Sequence, residues 1–185
     1  MKITQYTEAG HTHPILPGVK EFSFGESVFS HQREAWQCGY CVLSNAFSFA
    51  LGERISTAEV KQGMESVLGY SIKNGTWVKT NWISGYLHNK NYRLFTYATS
   101  DLIEDAVNQF NNGNFDFIII RAVDAHFRAI VKEQGGNYFL LDSFNRGPTR
   151  INAQDVENWI RSNVDSSRGD NGEYLVRQVT FARRK

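Results

Sequence analysis

The sequence predicts an α+β fold, a helical subdomain followed by an antiparallel sheet. Three observations carry that expectation. The stretch from Cys41 to Leu51 is too apolar for a surface helix and reads as a central buried one. Ser56-Thr57-Ala58-Glu59 has the form of a capping box at the start of a second helix. Beyond Gly113 the apolar spacing changes period, and Phe117-Ile118-Ile119-Ile120 opens a series of short strand-like runs.

In chain order, residues 1–30 contain Pro14, Pro17 and Gly18 and lack clear periodicity, so an irregular or partly extended N-terminal extension is expected there. A single catalytic domain over 31–185 follows. Its first helix starts at Cys38 and ends at Gly52, and its second runs from Ser56 to about Leu68. A loop holding Asn74-Gly75 precedes a third helix, about Val78 to His88, with Val78, Trp82, Ile83 and Tyr86 on one face. Tyr92 to Tyr97 alternates like a strand, and Asp101 caps a fourth helix to about Phe110. Asp116 to Ala122 reads as a buried strand. Phe127–Lys132 and Tyr138–Leu141 form a hairpin around Gly135-Gly136. After the turn at Gly147-Pro148, Asn152 begins a helix carrying Val156, Trp159 and Ile160, and Tyr174 to Phe181 forms the last strand.

Composition sets the outer bounds. The 185 residues suit one domain, and 41% hydrophobic with 14% aromatic residues suits an ordered core. Lys+Arg of 20 against Asp+Glu of 19 gives a net charge of +1, which makes no case for nucleic acid. The only basic run is Arg183-Arg184-Lys185. Two cysteines cannot build a disulfide framework, and no apolar stretch reaches the roughly 18 residues of a membrane span. A soluble, monomeric, cytoplasmic protein without cofactor or metal is expected, with no membrane partner; a secretion route without a cleaved signal stays open.

The chemistry centres on Cys38, in Gln32-Arg33-Glu34-Ala35-Trp36-Gln37-Cys38-Gly39. A glutamine upstream of a Cys-Gly that opens an apolar helix is how papain-like cysteine hydrolases present a nucleophile. A helix N-terminus favours the thiolate, and the Gln amide with the Cys backbone N–H can face a developing oxyanion. His126 stands at the start of one hairpin arm, and the tight turn returns Asp142 to about its level. A carboxylate there can fix the tautomer and orientation of the imidazole. Competing readings are weaker. Cys38-Gly39-Tyr40-Cys41 is a C-x-x-C, but Ser30 to Glu34 is too polar for the strand a redox motif needs, and no proline lies between Pro17 and Pro148. No further ligands complete a zinc site with the cysteines, and His11-Thr12-His13 offers at most weak metal binding.

Several segments resemble the Josephin family of deubiquitinating cysteine proteases. His126-Phe127, Tyr138-Phe139-Leu140-Leu141-Asp142-Ser143 and the Gly147-Pro148 turn into a helix follow that family's order. So do Cys38 with Leu43-Ser44-Asn45, then Asn74-Gly75-Thr76-Trp77-Val78, and then Tyr92-Arg93-Leu94-Phe95. The likeness covers about Gln32 to Phe181. It implies a papain-like fold, Cys38 as nucleophile, His126 as base and then acid, Asp142 as orienter and Gln32 in the oxyanion hole.

The implied activity is thiol-dependent hydrolysis of the isopeptide or ester bond at the ubiquitin C-terminus, so ubiquitin or its conjugates would be the partner. A slim diglycine end would suit a narrow channel, for which Trp36, Tyr40 and Phe127 are candidate walls. The family's long helical hairpin before the third helix is shortened here to about Gly69–Asn74. A compact member of this kind with an added N-terminal segment is compatible with a microbial effector acting on host ubiquitin. The triad alone equally suits a double-glycine peptidase or a protein glutamine deamidase or transglutaminase. An inactive ubiquitin-binding module is the reading from a different class.

Overall fold

The computed structural model describes residues 5–7, 14–95, 103–121, 125–133, 135–164 and 179–185. Three short strands come first: β1 (Gln5–Thr7), β2 (Lys20–Phe24) and β3 (Ser27–His31), paired antiparallel in that order. A 3₁₀ turn at Ala35–Gln37 leads into α1 (Cys38–Leu51), followed by α2 (Thr57–Leu68) and α3 (Thr80–Asn89). The remaining elements are β4 (Tyr92–Phe95), α4 (Ile103–Asn111), β5 (Phe117–Arg121), β6 (Phe127–Lys132), β7 (Tyr138–Leu141), β8 (Thr149–Ile151), α5 (Ala153–Val164) and β9 (Val179–Arg184). Strands β4 to β9 form one antiparallel six-stranded sheet in the order β4-β9-β5-β6-β7-β8.

Alternation along the strands explains the layering. Successive side chains point to opposite faces of a sheet. On β5, Phe117 and Ile119 join the core that holds α1, α2 and α3, whereas Ile118 and Ile120 join the core under α4 and α5. On β7, Phe139 and Leu141 face the first core and Leu140 the second. The central strands are therefore apolar on both faces because helices cover both. Helix α1 is buried from Cys38 to Ser48 and packs between β6 and β3.

Local signals are matched closely at α2, where Ser56 Oγ accepts from Glu59 N at 3.2 Å and the Glu59 carboxylate accepts from Ser56 N at 3.0 Å. The third helix starts two residues later than its apolar face suggests, at Thr80. Asp101, residues 96–97 and residues 174–178 lie outside the described residues, as do His11 and His13. Strand β8 had no signal in the sequence beyond its turn.

The N-terminal segment departs from expectation. The expected boundary between an extension (1–30) and a catalytic domain (31–185) falls inside β3. Leu16, Val19, Phe22, Phe24 and Phe29 belong to the same core as α1. Side chains of α1 also clamp the β3 backbone. Asn45 Oδ1 accepts from Ser30 N at 2.6 Å, Asn45 Nδ2 donates to Ser30 O at 3.1 Å, and Ser48 Oγ accepts from Val28 N at 2.8 Å. The edge of β3 is thus satisfied by a helix, which removes an exposed pairing template. Among the described residues, no helix is long and apolar enough to cross a membrane.

Candidate active site

Cys38 is the first residue of α1, at the positive end of the helix dipole, and its backbone N–H donates to Ala35 O of the preceding 3₁₀ turn. Gly39 follows because α1 lies very close to the next segment: a Cβ at Gly39 would sit 2.6 Å from Val78 Cβ. The thiol is buried, with Cys38 1% exposed, and it lies close enough to His126 to help raise the pKa of the imidazole.

His126 sits one residue before β6. The residue before it, Ala125, has a left-handed φ of 62°, a conformation that costs a non-glycine residue about 1 kcal/mol. Backbone strain of this kind clusters at functional sites because neighbouring structure imposes it. Nε2 of His126 donates to Asp142 Oδ1 at 2.7 Å, which leaves Nδ1 for the sulfur. Burial alone would depress the imidazole pKa. The hydrogen bonds to Asp142 and Cys38 outweigh it and raise the value to about 9. Asp142 shows the reverse balance. Burial would raise its pKa, but the hydrogen bond from His126, that from Phe144 N at 3.1 Å, and the nearby Arg128 charge hold it at about 2. The site thus favours an imidazolium beside an ionised carboxylate.

Three neighbours of the pair were missed by sequence reasoning. Arg128 Nε donates to Asp142 Oδ2 at 3.0 Å, and its guanidinium lies 5.2 Å from the centroid of the Trp159 ring on α5. The register supplies the reason. Ala129 pairs with Leu141, so one further step sets Arg128 opposite Asp142. Phe144, half exposed, stacks on His126 at 4.6 Å and 29°. Gln37 is fully buried, and its Oε1 accepts from Arg33 N at 2.9 Å and Glu34 N at 3.0 Å, while Nε2 donates to Pro17 O at 2.8 Å. That glutamine shapes the loop that delivers Cys38.

Gln32 reaches the same cluster. Its backbone N donates to Ser143 O at 2.9 Å, next to Asp142, and its side-chain Oε1 accepts from Ser143 Oγ. This fixes the amide orientation, and Nε2 donates one proton to Glu34 O at 3.0 Å. The three aromatic candidates are placed differently from the expected channel walls. Tyr40 is fully buried and Phe127 2% exposed, both within the α1 core. Trp36, 8% exposed, packs edge-on to Tyr40 and donates its Nε1–H to the Glu34 carboxylate. The half-exposed Phe144 lies on the imidazole itself. Cys41 forms no disulfide, and full burial pushes its thiol pKa well above the ordinary value. A buried, protonated partner does not suit dithiol exchange at Cys38.

No protein-family model matches the chain, and no curated protein sequence matches it. Among solved structures, it is similar to the peptidase domain of Streptococcus ComA, described as a bi-functional ABC transporter involved in a quorum sensing pathway. The TM-score is 0.49 and the identity 12%, over 84% of this chain and 96% of that one. What the chain's own geometry assembles is a helix-borne thiol beside an imidazole that is hydrogen-bonded to a carboxylate, drawn from a helix start and the ends of two adjacent strands of an α+β fold.

Proposed function

We propose that this chain is a papain-like cysteine peptidase that cleaves an acyl bond after a slim, glycine-type end. The observation that carries the reading is the His126–Asp142 hydrogen bond at 2.7 Å beside a buried thiol at a helix start, with Cys38 and Asp142 both favouring the imidazolium.

In the first step the Cys38 sulfur attacks the carbonyl carbon and a C–S bond forms. The oxyanion takes the second Nε2 proton of Gln32, the first being held by Glu34. His126 then gives its Nδ1 proton to the departing amine as the C–N bond breaks, leaving a thioester. Water attacks the thioester while His126 takes its proton, and the acid and the free thiol are released. Asp142 keeps Nε2 engaged throughout. A thiol only 1% exposed is reached by an end without side chains more readily than by a bulky one.

Two substrates fit such an end. The resemblance to Josephin proteases favours ubiquitin, but the α2–α3 connection, Gly69 to Lys79, carries no helical arm with which to hold it. A double-glycine peptide needs no such arm, and it is the reading we place first.

The test uses a Gly-Gly peptide and ubiquitin, each bearing a C-terminal electrophile, with wild type and Cys38→Ala. A Cys38 adduct with the peptide alone supports the double-glycine reading, and one with ubiquitin supports deubiquitination. No adduct with either, together with ammonia release from a protein glutamine, would move the site to deamidation.

A further inference from the structure

A cavity of about 820 Å³ opens beside Gln32, and its wall includes Lys20, His31, Arg33 and Arg146 and, among the described residues, no acidic one. These residues come from β2, from the end of β3 and the turn after it, and from the β7–β8 loop, and only the fold brings them together. Like charges converge on one concave surface in a chain whose net charge is only +1.

The arrangement is held in place. Gly18 has φ of 79°, and a Cβ there would lie 2.4 Å from Arg33 Cδ, so the arginine stem runs directly over that turn. The Arg33 backbone N is bound by Gln37 Oε1 at 2.9 Å. His31 Nδ1 donates to Asn145 O at 2.7 Å, which ties the β3 end to the loop bearing Arg146. The two acids adjacent in sequence are directed elsewhere. Glu21 Oε2 accepts from Arg54 Nη2 at 2.6 Å, and the Glu34 carboxylate accepts from Trp36. Gln32 both lines this cavity and is anchored to Ser143, beside Asp142.

We propose that this cavity is a subsite for a carboxylate side chain of the substrate polypeptide, with Arg33 and Arg146 as its recognising groups. The proposal deepens the peptidase reading and rests on it. An arginine presents a planar fork of donors that matches a carboxylate with two parallel hydrogen bonds. A concave wall of one sign also concentrates an oppositely charged segment beside Gln32 before chemistry begins.

The test measures binding, so it needs no turnover. Fluorescein-labelled peptides containing a Gly-Gly pair, with glutamates or glutamines on either side of it, are titrated into Cys38→Ala protein. One glutamate peptide is expected to bind about tenfold tighter than its glutamine counterpart, the scale of a charge-assisted pair. Arg33→Glu and Arg146→Glu should each abolish that preference and improve binding of the matching lysine peptide. Arg146→Glu lies on a separate loop and keeps the test decisive should Arg33→Glu misfold. Equal binding of the glutamate and glutamine peptides, or a preference that survives in Arg146→Glu, overturns the proposal. Cys38-dependent cleavage by the wild type is scored separately. Arginine-dependent binding without cleavage upholds the subsite and rejects the peptidase reading.

Discussion

Arg128 and Asp142 meet at 3.0 Å through Nε and Oδ2, while the other oxygen of the same carboxylate is taken by His126 at 2.7 Å. Both oxygens of Asp142 are thus committed. Arg128 is itself held against Trp159, so α5 supports the carboxylate that orients His126. Arg128 acts as a positioning residue. Arg128→Met should lower kcat by about ten- to hundredfold, matching the ~1.5–3 kcal/mol of a hydrogen bond to a charged group, with KM little changed. A purely structural role would leave the His126 titration in place. Loss of the cation beside the carboxylate favours the imidazolium, so the variant is expected to shift it upward, measurable by NMR.

The roles within the triad are unequal. Asp142→Asn should keep partial activity, since an amide oxygen can still accept from Nε2, whereas His126→Ala should lose nearly all of it. Hydrolysis of a Gly-Gly coumarin amide reads both. A fully active His126→Ala would assign the base to another residue.

The pH dependence has a definite sign. His126 is opposed by burial but raised from 6.5 to about 9 by Asp142 and Cys38, so its stabilising contribution is complete below 6.5 and is lost as pH rises through about 9. Asp142, opposed by burial but lowered from 3.8 to about 2, contributes fully above 3.8 and loses that contribution as pH falls through about 2. Denaturant unfolding of the wild type should show stability falling between pH 6.5 and 9, and His126→Gln should flatten that slope. Activity should also fall near pH 9, as the leaving amine loses its proton donor.

Gly39 tests the packing that seats the thiol. Gly39→Ala places a methyl group 2.6 Å from Val78 Cβ, an atom fixed to its own backbone. Overpacking of this kind costs about 1–3 kcal/mol, and α1 must shift at the residue after the nucleophile. Chemical denaturation should show that loss together with reduced activity. A wild-type midpoint would mean that the helix and the 78–79 segment separate freely.

Much of the fold was legible where its signals are local. The capping box at Ser56, the apolar run of α1 and the hairpin from Phe127 to Leu141 each declare themselves within a few residues. The pairing of Cys38, His126 and Asp142 was legible because a tight hairpin converts sequence distance into register. Long-range placement was not. Nothing local shows that β2 and β3 share the α1 core, or that Asn45 clamps Ser30. Arg128 needed the register, Phe144 needed the turn after β7, and the basic cavity needed two loops separated by more than a hundred residues of sequence. For Trp36, Tyr40 and Phe127, candidate walls for which packing is the role the sequence favours, the burial agrees with packing. Tyr40 and Phe127 turn into the core.

Acyl-enzyme trapping tests the central claim most directly. A Gly-Gly 4-nitrophenyl ester is mixed with the protein, quenched in acid within the first turnover and mapped by mass spectrometry. The account expects a burst of one acyl group on Cys38, absent from Cys38→Ala and slowed at least about a hundredfold in His126→Ala, the scale of general acid–base catalysis. No burst, an acyl group on another residue, or an undiminished rate in His126→Ala would contradict it.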